Sequence, residues 1–149
     1  MHTSIPLTDE DRSGWLQTLA ATCIDALATN SLVIVSCSAL KCVYRQVFRT
    51  AVENNNIANH LVTVIAKVDD IKLRFLFLSM SQDKAAHLVK IRAENTGHFM
   101  PATLVSSQYE ILEIPGEKET DCHVLDSNFG VEEVKAGALK ILDSLIAEE

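Results

Sequence analysis

At 149 residues the chain is long enough for one domain with its own core and too short for two comfortable ones. Hydrophobic residues make up 48 % and aromatics only 5 %, which points to an aliphatic globular interior. The formal charge of −7 argues against a general binder of nucleic acid or anionic membrane, since either needs concentrated Lys and Arg. The start of the chain, to Ser13, is polar and lacks the basic head and apolar run of a signal peptide. Apolar runs are strand-sized, far below the ~20 residues of a membrane helix. A cytoplasmic protein is expected. Its four cysteines, Cys23, Cys37, Cys42 and Cys122, form no CxxC pair and read as reduced, mostly buried thiols.

In chain order, Thr8 followed by Asp11 resembles a capping box, with Asp9 and Glu10 adding negative charge to a first helical turn. Trp15, Leu16, Leu19, Ala20, Cys23, Ile24 and Leu27 then recur at helical spacing, predicting a helix from Asp9 to Ala28 that Asn30 and Ser31 break. Leu32 to Val35 is apolar throughout, the pattern of a strand covered on both faces in a parallel sheet. Ala39 to Thr50 reads as a helix and the Asn-rich Glu53 to Asn59 as a loop. His60 to Lys67 and Lys72 to Leu78 read as strands, with Asp69-Asp70 as a possible hairpin turn between them.

Further on, Ser81 to Glu94 is expected to be helical and Asn95 to Met100 a loop. Pro101 suits the first position of a helix running to Glu113, and Pro115-Gly116 opens an exposed loop. His123 to Asp126 is a short strand. Gly130 precedes a last helix whose apolar stripe is Val131, Val134, Ala138, Ile141, Leu142 and Leu145. Alternation of helix and strand places the fold in the α/β class.

Three separated words carry a family resemblance. They are PLTDEDR with Trp15 behind it (Pro6 to Arg12), CSALKCVYR (Cys37 to Arg45), and GHFMP with SSQYEILEIPGE downstream (Gly97 to Pro101, Ser106 to Glu117). In this order they resemble the gluconokinase family, small P-loop kinases with a nucleoside-monophosphate-kinase-like fold. The resemblance covers nearly the whole chain as one domain, residues 1–149, except an apparent insertion at about 51–71. It implies a three-layer fold around a parallel sheet, ATP and Mg2+ as cofactors, D-gluconate or a similar sugar acid as substrate, and a homodimer. It also implies that Arg12, Lys41 and Arg45 hold gluconate, that Gln108 adds a hydrogen bond, and that Gly97, His98 and Phe99 belong to a lid over the phosphates.

The residues themselves suit an anionic ligand. Lys41 and Arg45 stand four apart on a helix that starts just after a strand end, so both can reach one crevice. A helix N-terminus with cations beside it favours carboxylate or phosphate. By pattern alone, Arg12 and Arg45 would read as solvated surface charges and His98 as a loop histidine.

The chain also departs from the family. No GxxxxGK[ST] occurs in it, and Gly14, Gly97, Gly116, Gly130 and Gly137 are scattered. The backbone cradle, Lys and Ser/Thr that hold ATP phosphates and magnesium are therefore not among these residues. The resemblance implies that the chain begins inside the family sequence, after the first strand, the P-loop, its helix and a second strand that carries an acidic general base. Asn95 stands where the family lid has Arg. The expectation is a kinase by family that is inactive as written, with His60 to Lys67 proposed to fill the place of the first strand. A non-catalytic gluconate-binding or regulatory protein, or the product of a truncated gene, stays open beside it.

Overall fold

Helix α1 (Asp9–Leu27) begins where its cap is written. The Thr8 hydroxyl accepts from the Asp11 amide at 3.2 Å, and the Asp11 carboxylate accepts the Thr8 amide at 2.9 Å, a complete capping box. The Thr8 hydroxyl and amide together hold the Asp11 carboxyl below its ordinary pKa. At the other end, the Asn30 side-chain amide donates to the Ala26 carbonyl at 2.8 Å, which explains why the helix stops there. The structure, a computed structural model, describes residues 8–62, 69–96 and 102–147. They form two compact units, one ending at Leu73 and the other beginning at Arg74.

In the first unit α1 packs on α2 (Cys42–Val62). Leu16 and Ala20 on α1, and Tyr44 and Phe48 on α2, are all buried. Each pair is spaced i, i+4, so one stripe of each helix meets the other. Trp15, placed in the apolar stripe by its spacing, is instead largely exposed.

Helix α2 runs well past Thr50, through the Asn-rich stretch expected to be a loop. Asn is a modest helix former, but here its amides find partners. Asn59 donates to Asn55 one turn back at 3.0 Å. Asn56 takes both backbone groups of Ile71, donating to its carbonyl at 3.2 Å and accepting its amide at 3.0 Å. That amide copies the pairing of a neighbouring strand and ties the segment around Ile71 to α2. The strand expected over His60 to Lys67 is corrected in part: residues 60–62 are the last turn of α2, and the rest lies outside the described residues.

Leu32 to Val35 is not a strand either. Residues 32–40 have no regular structure, and Leu32, Ile34 and Val35 are exposed, Ile34 at 80 %. An apolar run becomes a strand only when a neighbour takes its N–H and C=O groups, and no described residues pair with this one.

The second unit is α/β. Its strands β1 (Phe75–Ser79) and β2 (Cys122–Asp126) pair in parallel from Phe75↔Cys122 to Ser79↔Asp126. This is the only sheet among the described residues. Among the described residues β1 pairs with the distant β2, and most of the strand expected before Asp69-Asp70 lies outside them. Between the strands lie α3 (Gln82–Thr96) and α4 (Ala102–Glu110), packed on each other. Asn95, expected in a loop, ends up on α3, while Pro101 lies outside the described residues. The Tyr109 hydroxyl donates to the Met80 carbonyl at 3.0 Å, and Gln82 donates to Ser106 at 3.1 Å. Burial pushes the Tyr109 phenol up.

Helix α5 (Val131–Ala147) packs on β2. The Gly130 amide donates to Glu133 at 2.8 Å to start it. Gly137 lets the helix come close: a Cβ there would lie 2.8 Å from a methyl of Leu125. Of the expected stripe, Val134, Ala138, Ile141, Leu142 and Leu145 are half-buried, whereas Val131 is 80 % exposed.

The cysteines are free. Cys23, Cys37 and Cys122 are half-buried, but Cys42 is exposed, against expectation. Among the described residues no helix is long and apolar enough to cross a membrane.

Candidate functional site

The first turn of α1 and the start of α2 bring together Asp9, Arg12, Lys41 and Tyr44. Lys41 occupies the cap position of α2, where its carbonyl accepts the amides of Tyr44 at 3.1 Å and Arg45 at 3.3 Å. From there its ammonium reaches Asp9, donating to Oδ1 at 2.8 Å and Oδ2 at 2.7 Å. The Tyr44 hydroxyl donates to the same Oδ1. The hydrogen bond from Lys41, then that from Tyr44, holds the Asp9 carboxyl below its ordinary pKa, and Asp9 in turn raises that of Lys41. The Tyr44 phenol is raised by burial first and by Asp9 second.

Two cations also border the Tyr44 ring. The Arg12 guanidinium lies 5.8 Å and the Lys41 ammonium 5.5 Å from its centroid, within cation–π range. The Asp9 side chain is 60 % exposed and that of Lys41 21 %, so the carboxylate faces solvent while the ammonium is partly covered.

Arg45 behaves differently. It is 2 % exposed, the reverse of the solvated charge its pattern suggests. Its guanidinium donates to the carbonyls of Ala39 at 3.0 Å and Leu40 at 3.4 Å. A buried cation without such acceptors would be strongly destabilising. Arg45 therefore fixes the turn that leads into α2, and so the position of Lys41.

Of the residues nominated from sequence, Arg12, Lys41 and Arg45 thus cluster at one end of the first unit. Gln108 is half-buried on α4 of the second unit. Gly97, His98 and Phe99 lie outside the described residues. Asp9 and Tyr44 were missed as site residues, although both stand inside the words PLTDEDR and CSALKCVYR. The signal that could have found them is charge pairing between those two words.

The described residues do not fit ATP and magnesium. Gly14 is inside α1, Gly137 is packed on Leu125, Gly130 caps α5 and Gly116 is in an open loop, so none of these lies in a phosphate cradle. Among the described residues no group of three or more His, Cys, Asp or Glu side chains could hold a metal ion.

No family model matches the chain. It is 31 % identical over 145 residues to a probable gluconokinase of Schizosaccharomyces pombe, covering 96 % of this chain and 66 % of that protein. Among solved structures, a gluconokinase from Sinorhizobium meliloti 1021 is 32 % identical with a TM-score of 0.60, covering 97 % of this chain and 71 % of that one. An unliganded sugar kinase from Janibacter sp. HTCC2649 is 34 % identical with a TM-score of 0.66, covering 96 % and 70 %. The chain spans slightly under two thirds of the length of two curated relatives it matches, the Schizosaccharomyces pombe protein and the thermoresistant gluconokinase of Escherichia coli. Likeness in both sequence and fold over nearly every residue of these 149 carries one conclusion: the chain belongs to the gluconokinase family.

Proposed function

We propose that this cytoplasmic chain carries the sugar-acid-binding portion of a gluconokinase, whose full reaction is ATP + D-gluconate to 6-phospho-D-gluconate and ADP. The observation that carries the reading is the meeting of Arg12 and Lys41 at the Tyr44 ring, beside the N-terminus of α2. Cations at the positive end of a helix dipole suit a carboxylate ligand. Arg45 contributes by holding the turn before α2. By family likeness, Gln108 supplies a hydrogen bond, and Gly97, His98 and Phe99 belong to the lid over the phosphates.

Phosphoryl transfer needs a P-loop or its equivalent to neutralise charge on the transferring group, and no GxxxxGK[ST] occurs in these 149 residues. The polypeptide by itself is therefore a binder of sugar acid and not a catalyst of transfer. Calorimetric titration of the 149-residue chain with D-gluconate, beside an assay for gluconate-dependent ADP release with Mg-ATP, tests both halves. Heat of gluconate binding without ADP release is the expected result. Absence of gluconate binding by a folded sample refutes the binding half, and turnover refutes the other.

A further inference from the structure

Lys41 and Arg12 were nominated as grips for an acid, but the geometry gives the ammonium a prior engagement. Two of the three donor hydrogens of Lys41 are directed to the two oxygens of Asp9. A ligand carboxylate brought up to Lys41 would therefore meet the Asp9 carboxylate as well, and like charges at that range repel. Asp9 nevertheless remains open to solvent on its outer side. Its Oδ1 is fixed by Lys41 and Tyr44 and its Oδ2 by Lys41, leaving acceptor capacity that points outward.

A sugar acid carries a chain of hydroxyl groups, and a hydroxyl donating to a fixed carboxylate makes a charge-assisted bond stronger than a neutral one.

We infer that Asp9 binds a hydroxyl of the sugar acid and that Lys41 and Tyr44 position Asp9. This rests on the sugar-acid reading above. Asp9 is then a binding residue and Lys41 a positioning residue that acts through it.

The opposite arrangement, in which Asp9 merely blocks Lys41 until an acid displaces it, predicts the opposite sign, and this makes the test decisive. D-gluconate is titrated calorimetrically into the full 149-residue chain as wild type, Asp9→Asn, Tyr44→Phe and the double variant Asp9→Asn/Lys41→Gln. The expected result is a loss of about tenfold or more in affinity for Asp9→Asn, as for a charge-assisted hydrogen bond, and a smaller loss for Tyr44→Phe. The double variant should bind within about twofold of Asp9→Asn alone, because a residue acting through Asp9 has nothing left to act through.

Equal or tighter binding by Asp9→Asn overturns the inference while leaving the sugar-acid reading intact. A further large loss in the double variant overturns the positioning role of Lys41. A folded wild type that does not bind gluconate overturns the reading and this inference with it. Thermal melting followed by circular dichroism checks each variant. If Asp9→Asn has no cooperative melt, Tyr44→Phe decides by the same criterion, weaker binding supporting the inference and equal or tighter binding overturning it.

Discussion

The ammonium of Lys41 bridges both carboxylate oxygens of Asp9, a residue thirty-two positions earlier in the chain. This pair ties the first turn of α1 to the cap of α2, and its two partners titrate at opposite ends of the pH scale.

The first prediction follows from that titration. The carboxyls of Asp9 and Asp11 are both held below the ordinary value of 3.8, Asp9 chiefly by Lys41 and Asp11 chiefly by the Thr8 hydroxyl. A carboxyl with a depressed folded pKa contributes stability above its unfolded pKa and loses it as pH falls through the folded value. The melting temperature should therefore drop as pH is lowered through and below 3.8, and Asp9→Asn and Asp11→Asn should each flatten part of that drop. Lys41, raised by Asp9 above its ordinary 10.5, gives the mirror case, with its contribution complete below 10.5 and lost above its folded value. Melts taken across the pH range check both limbs.

The α1–α2 core makes the second prediction. Leu16 is 1 % exposed and, with Ala20, Tyr44 and Phe48, is buried in the first unit, where α1 packs on α2. Leu16→Ala removes buried methyl groups and leaves a cavity, which costs about 2–5 kcal/mol in such sites. Urea denaturation should show a lower midpoint, and an unchanged midpoint would mean that the two helices do not share a core.

A third concerns the approach of α5 to β2. Gly137→Val places branched carbons where a Cβ alone would lie 2.8 Å from Leu125. Overpacking of this kind costs about 1–3 kcal/mol. Gly137→Ala gains about 1 kcal/mol of helix propensity against a smaller clash and should come out near neutral. The contrast between the two substitutions, read by thermal melting, separates contact from propensity.

The fourth is about solubility. Leu32, Ile34 and Val35 present an exposed apolar run with no ladder partner among the described residues. Such segments seed association between chains, and a charge within them suppresses it. Ile34→Lys should shift the concentration dependence of light scattering toward the monomer without altering the melt. Equal self-association in wild type and variant would clear this segment of blame.

Much of this fold could be read from spacing alone, and the failures share one cause. The cap at Thr8, the period of α1 and the start of α5 depend on neighbours within a few residues, and each was visible. What escaped depended on distant partners. Leu32 to Val35 has the composition of a strand but only a ladder makes it one. The asparagines after Thr50 look like helix breakers until Asn56 is seen to take up the backbone of Ile71. At the site the cations Arg12, Lys41 and Arg45 were legible, because their words were. The burial of Arg45 and the place of Asp9 were not, since one depends on carbonyls in a turn and the other on a lysine 32 positions away in sequence.

The side-by-side pairing of β1 with β2 has a consequence for how the protein is made. Two strands running the same way cannot be joined by a tight turn, and here α3 and α4 intervene. No bond of the β1–β2 ladder can form until Cys122 and its neighbours have left the ribosome, whereas α1 and α2 can dock as soon as Val62 has emerged. Loop closure across that distance must precede any reward from pairing, which makes such topologies slow. During synthesis the apolar residues of β1, Phe75 to Leu78, therefore precede the translation of β2, their partner among the described residues, and it is in that interval that a chaperone would find its hold.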